Sequence, residues 1–492
     1  MKHLVRYQLL AAKGTRAALL LGLASWAPAA FGQTPTFTPV VNYDLGNNGS
    51  PAAVVAADLN GDGQLDLLTA NYYSSTVGVL LGTGTGRFGG AALFSTGTGS
   101  YPSSLAVADV NGDGHLDVLT ANSLLHTVGV LLGTGTGALT SRTAYSTGDT
   151  SNPRCLAVAD VNGDGYLDVL TANTGSNTVG VLLSTGTGSF GAVATYATGP
   201  LSGPLSLAVA DVNGDGHPDV LTANSTADAV GVLLGTSNGG FGAVTPYAVG
   251  ANSRPFAVAV ADVNGDGQLD VLTANSGTGT AGVLLGTGTG RFDAVRTYST
   301  GPASQPLGLA VADMNGDGYP DLLAATASSP TVCLLLGTGT GRFGGASTYS
   351  AGPNSYPHNL TAADVNGDGK LDLLTANSGN NTAGVLLSTI PLLATHAALP
   401  GAFTTLYPNP ARAAATLTAT GLPAAARTVE LTLLNPLGQV VRRLSLPAAQ
   451  GAATGTVPTA GLAAGLYLLQ LRALTGQGAT LGALPTQRLS VE

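Results

Sequence analysis

The chain has 492 residues, of which only 9% are charged, 71 are glycine and two are cysteine, with a formal net charge of −9. Low charge with abundant Gly and Thr excludes a basic nucleic-acid-binding surface and argues against a helical enzyme. It favours many short strands joined by tight turns.

The N-terminus opens with Lys2, Arg6, Lys13 and Arg16, followed by the apolar stretch "AALLLGLASWAPAA" and by small residues at Ala30 and Gly32. This reads as a signal peptide over residues 1–32. The apolar run is too short, and too soon broken by Pro28, to span a bilayer. An exported chain permits a disulfide. Cys155 and Cys333, however, fall in different repeat units and on different strands, so they are expected to be two unpaired, small buried residues.

Seven copies of D-x-N-G-D-G-x-x-D follow at a constant interval of 51 residues. A fixed period of that length is the signature of a repeat architecture, close to the propeller range. Within one unit, "LAVAD", "LDVLTAN", "TVGVLLG" and "FGAVATYATG" are four β-rich runs, separated by the acidic loop, a short polar loop and the turn "GTGTG". Each unit therefore predicts a four-stranded antiparallel blade. The turn precedes a strand and lacks the Lys-Ser/Thr of a phosphate loop, so it reads as a hairpin turn.

Six units carry an apolar residue 30 positions after the first Asp: Phe88, Leu139, Phe190, Phe241, Phe292 and Phe343. An aromatic stands six later, at Phe94, Tyr145, Tyr196, Tyr247, Tyr298 and Tyr349. The seventh unit lacks both. Phe37, 51 residues before Phe88, and Tyr43 supply them from the start of the mature chain. An N-terminal strand is thus predicted to complete the last blade, closing a ring without an open sheet edge.

The acidic loop has the chemistry of a calcium site, because calcium is a hard cation that takes six to eight oxygen ligands. Position 1 is Asp58, Asp109, Asp160, Asp211, Asp262, Asp313 and Asp364. Position 3 is Asn60, Asn111, Asn162, Asn213, Asn264, Asn315 and Asn366, and position 5 is Asp62, Asp113, Asp164, Asp215, Asp266, Asp317 and Asp368. Position 7 offers a backbone carbonyl from Gln64, His115, Tyr166, His217, Gln268, Tyr319 and Lys370. Position 9 offers a last carboxylate from Asp66, Asp117, Asp168, Asp219, Asp270, Asp321 and Asp372. Glycines at positions 4 and 6 let the chain curl. An EF-hand is excluded, since it needs Glu at position 12 and flanking helices. Here position 12 is Thr or, in the sixth unit, Ala324, and the flanks are strand-like. Metal-free Asx turns and the paired carboxylates of a glycosidase are the alternatives. Seven intact copies favour a metal over both, because an active site is normally unique. Between Gln33 and Pro400, eight Lys or Arg face 25 Asp, so Ca²⁺ in up to seven loops would compensate most of the excess charge.

An antiparallel blade places the acidic loop and "GTGTG" at one end of the ring. The second-to-third-strand loops and the blade-to-blade loops share the other end, and these vary between units. Each blade-to-blade loop carries a proline (Pro51, Pro102, Pro153, Pro204, Pro255, Pro306, Pro357), preceded by Ser50, Tyr101, Asn152, Gly203, Arg254, Gln305 and Tyr356. Tyr72, Tyr73 and Tyr101 are candidate ligand-binding residues on this variable face. After a linker at 394–404, "LYPNPARAAATLTATG", "VELTLLNPLGQVVRRLSL", "LAAGLYLLQLRA" and "QRLSVE" predict a small β-sandwich.

"ADVNGDGHLDVLTAN", "VGVLLGTGTG" and Phe190-Gly191-Ala192 resemble the FG-GAP/VCBS repeat of integrin-α-like seven-bladed β-propellers, over roughly Gln33 to Leu393. The resemblance implies calcium in the loop between the first and second strands of each blade. Tyr407-Pro408-Asn409-Pro410, Leu437-Gly438-Gln439 and Ala464-Gly465-Leu466-Tyr467 make the C-terminal module similar to the type A sorting domain of the type IX secretion system of Bacteroidetes, with the usual Lys-rich ending reduced to Arg488. That implies export by this machinery, with secretion or attachment to the bacterial cell surface.

The expected organisation is a signal peptide at 1–32, an all-β seven-bladed propeller at 33–393, a linker at 394–404 and a sorting domain at 405–492. The expected role is binding or adhesion to a glycan, matrix or cell-surface protein, with no nucleic-acid partner and no transmembrane segment in the mature protein. A polysaccharide lyase on the same ring, or a structural surface-layer component, are the alternatives. A lyase would need a His, Arg, Lys or Tyr cluster, and His126, His358, Arg154 and Arg254 stand in different units.

Overall fold

The computed structural model describes residues 34–46, 48–389, 403–407, 414–434, 440–459, 465–475 and 480–491. The signal peptide, nearly all of the linker and most of the sorting-domain signature residues lie outside the described residues. The chain divides into two compact units, one ending at Ile390 and the other beginning at Pro391.

The first unit holds seven four-stranded antiparallel sheets. After an N-terminal strand β1 (Val41–Asp44), the first blade consists of β2 (Pro51–Ala57), β3 (Asp66–Asn71), β4 (Thr76–Leu80) and β5 (Ala92–Ser95), hydrogen-bonded in that order. Five more blades repeat this order. In the seventh, Pro357–Ala363, Asp372–Asn377 and Thr382–Leu386 are joined by β1, with Val41 opposite Val385 and Asp44 opposite Thr382. First strands of consecutive blades touch, and β2 touches Pro357–Ala363, so the ring closes. Phe37 bridges Ser388 as Phe88 bridges Gly82, which is the register its 51-residue offset predicts.

The second strand of each blade is buried along its whole length, because neighbouring blades cover both its faces. That explains its nearly continuous apolar reading. The blades are also pinned at the rim by edge-to-face rings. The outer-strand aromatic of one blade meets the Phe of the next: Tyr145 with Phe190 at 5.3 Å, Tyr196 with Phe241 at 5.3 Å and Tyr298 with Phe343 at 5.5 Å. Phe37 with Tyr349 at 4.8 Å and Tyr43 with Phe88 at 5.6 Å complete the series across the closure.

One glycine in each of six blades reflects close packing. A Cβ on Gly180 would lie 2.6 Å from Thr171 Oγ1 and 2.8 Å from Asn173 Nδ2. In the sixth blade all three positions change together, to Cys333, Ala324 and Thr326, and the smaller Ala324 stands opposite Cys333. Cys333 is therefore a fully buried packing residue, whose thiol burial pushes up to about 12. Gly180→Cys alone is expected to cost about 1–3 kcal/mol, the range for overpacking a dense core. Adding Thr171→Ala and Asn173→Thr should recover most of it in urea melts. A single variant as stable as the parent would remove this explanation.

The second unit contains seven strands in one sheet, in the order Phe403–Tyr407, Ala414–Thr420, Ala452–Pro458, Val440–Ala449, Thr428–Leu434, Gly465–Leu474, Thr480–Val491. Val440–Ala449 is shared: its end pairs with Ala452–Pro458 and the rest of it with Thr428–Leu434. The sheet curls over one core holding Leu417 and Val457 from one half and Leu431, Leu469 and Leu489 from the other. The two layers expected of a sandwich are thus the halves of a single curled sheet.

Candidate functional site

Each acidic loop folds around its own side chains. In the first blade, Gly61 and Gly63 N–H each donate to Asp58 at 2.8 Å. Asp62 N–H donates to Asn60 at 3.0 Å, and Gln64 N–H to Asp62 at 2.8 Å. Gly61 and Gly63 adopt φ of 74° and 83°, so positions 4 and 6 require glycine. The position-7 side chains Gln64, His115, Tyr166, Gln268 and Tyr319 lie against a glycine of the "GTGTG" turn. The seventh blade has no such turn, and Lys370 there pairs with Asp368 at 3.5 Å.

The position-9 Asp also has a structural role. It is fully buried in every blade. In the first blade, one Asp66 oxygen accepts Leu59 N–H at 2.9 Å and the other accepts Gly82 N–H at 2.8 Å. The same two bonds recur in the other six blades. This carboxylate ties the start of its loop to the end of the third strand. The loop also reaches the next blade. Gly188 N–H donates to Val110 carbonyl at 3.1 Å, and across the closure Gly86 N–H donates to Val365 carbonyl at 3.0 Å.

Among the described residues, no group of three or more His, Cys, Asp or Glu is gathered closely enough to hold a metal ion. The loop carboxylates are instead engaged by backbone N–H groups. An ionised carboxylate has about four lone-pair sites, so two or three such bonds leave each loop Asp with acceptor capacity. The oxygen-only donor set suits a hard cation.

Burial raises Asp117, Asp219, Asp270 and Asp372 to about 6, and Asp321 to about 7, against two backbone N–H bonds that lower each; the other loop carboxylates add to the rise. Asp66 and Asp168 shift the same way for the same reasons. A folded pKa above the unfolded one contributes stability below the unfolded value and loses it as pH rises through the folded value. Metal-free protein is therefore expected to melt higher at pH 5 than at pH 7.5. The reverse order in chelated samples would contradict the assigned burial effect.

At the opposite end, the variable loops are tied to one another. Six of the seven residues before the prolines have positive φ, including Tyr101 at 51°, Arg254 at 46° and Tyr356 at 44°. This strained turn points the carbonyl at the neighbouring loop: Ser50 accepts Tyr72 N–H, and Tyr101 accepts Ser123 N–H, both at 3.2 Å. Tyr72, Tyr73 and Tyr101 do gather. Their ring centroids are 5.2 Å (Tyr72–Tyr73), 5.1 Å (Tyr72–Tyr101) and 6.1 Å (Tyr73–Tyr101) apart. Tyr73 is 63% exposed.

Tyr72 and Tyr73, against which Tyr101 packs, line a cavity of about 340 Å³ that also takes first-strand residues from all seven blades. It receives the residue after each proline: Ala52, Ser103, Arg154, Leu205, Phe256, Leu307 and His358. The sequence pattern before the proline does not reveal this ring, although the same alignment shifted by two positions displays it. Arg154 lies over the Tyr72 ring at 5.8 Å and donates to its hydroxyl at 3.4 Å. His358 sits edge-on to Phe256 at 5.4 Å, with Nδ1 3.0 Å from the Ala52 carbonyl. Desolvation by the surrounding strands, helped by the Arg154 charge, lowers His358 to about 4. Arg154 and His358, from different units, thus share one cavity. His126 is elsewhere, its Nδ1 accepting Asn152 N–H at 3.0 Å, and Arg254 does not line the cavity. Cys155 also lines it, only partly buried, where a buried residue was expected; both cysteines are unpaired.

The FG-GAP-like repeat family matches in seven successive segments from residue 29 to residue 375. The secretion system C-terminal sorting domain matches residues 405–480, which marks the chain for secretion or surface attachment through that machinery. No helix among the described residues is long and apolar enough to cross a membrane. No curated protein matches the chain. Three solved structures are similar at low identity. A Bacteroides uniformis protein provisionally assigned as a 6-phosphogluconolactonase is 16% identical, with 68% of this chain and 94% of that one covered and a TM-score of 0.47. A protein of unknown function from Desulfotomaculum acetoxidans is 15% identical, covering 63% and 89%, with a TM-score of 0.40. A Lactobacillus plantarum protein is 14% identical, covering 82% and 98%, with a TM-score of 0.43.

Proposed function

The chain belongs to the FG-GAP-like repeat family, and from that premise we propose that it is an exported, calcium-fastened propeller that binds a glycan through its variable face. The observation that carries the binding reading is the cluster of Tyr72, Tyr73 and Tyr101, of which Tyr72 and Tyr73 line the axial cavity. Exposed aromatic faces give large contact area at low entropic cost and suit the C–H faces of sugars. Calcium would be held in each loop by the side chains at positions 1, 3, 5 and 9 and the carbonyl at position 7, beginning with Asp58, Asn60, Asp62, Gln64 and Asp66. When bound it supplies positive charge that offsets three carboxylates per loop. The repeated N–H bonds of the loops then set blade spacing rather than chemistry.

A glycan array probed with the purified protein tests the binding reading. Signal on defined glycans, lost when Tyr72, Tyr73 and Tyr101 are all changed to Ala, is the expected result. Unchanged signal in that variant removes the tyrosines from the site. A second reading, a polysaccharide lyase, gains support from Tyr72, Arg154 and His358 sharing one cavity. A reducing-end assay on the bound glycans separates the two, since a binding module releases no new ends.

A further inference from the structure

Resting on the binding reading above, we infer that the axial cavity takes the carboxylate-bearing terminal residue of an acidic glycan, with Arg154 as its counter-charge. Arg154 is a cation with no acidic partner among the described residues. Arg154 projects into the cavity, no Asp or Glu lines that space, and among the described residues its hydrogen bond is to the neutral Tyr72 hydroxyl. A guanidinium carries five N–H donors in a planar fork suited to a carboxylate. A partly desolvated charge without a partner is costly. A ligand carboxylate would supply that partner.

The rest of the wall narrows the ligand class. His358 is held neutral, so Arg154 is the one charge offered. Ser103, Ser104, Ser206 and Asn359 add hydroxyl and amide groups around it, which match a polyhydroxylated ring. A small inorganic anion would leave the tyrosine faces unused. The cavity, about 340 Å³, is at the small end of ligand pockets. It is walled by all seven first strands and sits on the ring axis. A sugar polymer lying across the ring cannot enter it, whereas a chain end can.

The test is calorimetric titration of the full chain, in calcium-containing buffer, with methyl β-D-glucuronide and methyl β-D-glucoside. The glucuronide should bind about tenfold tighter or better, as a charge-assisted bidentate contact would give. Added NaCl should erode that preference in the unmodified protein. Arg154→Gln should abolish it and Arg154→Lys should retain part of it. Equal binding of both glycosides overturns this inference while leaving the tyrosine reading intact. Binding of neither also overturns it, and the glycan array then decides the tyrosine reading separately. If Arg154→Gln fails to fold, the glycoside and salt comparison on the unmodified protein remains decisive.

Discussion

Deleting residues 34–44 is expected to abolish the closed ring. The deletion removes β1 and with it the outer strand of the seventh blade. It also removes the Phe37–Tyr349 and Tyr43–Phe88 contacts, each worth about 0.5–1.5 kcal/mol beyond the area it buries. Asn42 Oδ1, which accepts from Asn377 Nδ2 at 3.1 Å, is lost as well. The exposed edge of Thr382–Leu386 would be apolar and unpaired, a template for association between chains. Together the losses reach several kcal/mol, against a net stability of roughly 5–15 kcal/mol for a folded protein. Size-exclusion chromatography should show aggregates or strand-exchanged dimers, and the cooperative melt should disappear. A deletion variant that elutes like the parent and melts within a few degrees of it would refute the closure's importance.

Chelation is expected to have the second large effect. Extracellular calcium modules bind in the range of about 10⁻⁴ to 10⁻³ M. A ligand present at ten times its Kd adds about 1.4 kcal/mol per site to the folded state, so seven sites add about 10 kcal/mol. That is comparable with the entire net stability. EDTA should therefore lower Tm by about 10 °C or more, and calcium should restore it. Magnesium should not, because it demands a smaller octahedral site and keeps its water. An equal Tm in stripped and calcium-loaded protein would remove calcium from the account.

Much of this architecture was legible in the 51-residue period. The period sets the blade count, and the displaced Phe37 and Tyr43 mark the closing strand. Both work because a repeated unit must bury the same face each time, so a gap in one copy points to its replacement. The variable mouth was only half legible. Tyr72, Tyr73 and Tyr101 lie in loops that vary, which flagged them. Arg154 and His358 lie on strands, 204 residues apart, and only the ring brings both to the axis. Strand residues usually read as packing, so nothing local marked them. The loop motif shows the position-9 Asp only as one more oxygen donor. Its burial and its bond to the end of the third strand depend on tertiary geometry that a loop motif does not encode.

The most direct test of the central claim is the calcium content of the folded protein. Equilibrium dialysis of the stripped, full chain against millimolar calcium, with atomic emission readout, should return close to seven calcium ions per chain and fewer when Asp109 and Asp113 are both changed to Asn. Less than one ion per chain, in protein that still melts cooperatively, would contradict the account: the seven loops would then be hydrogen-bonded turns that hold the ring together without metal.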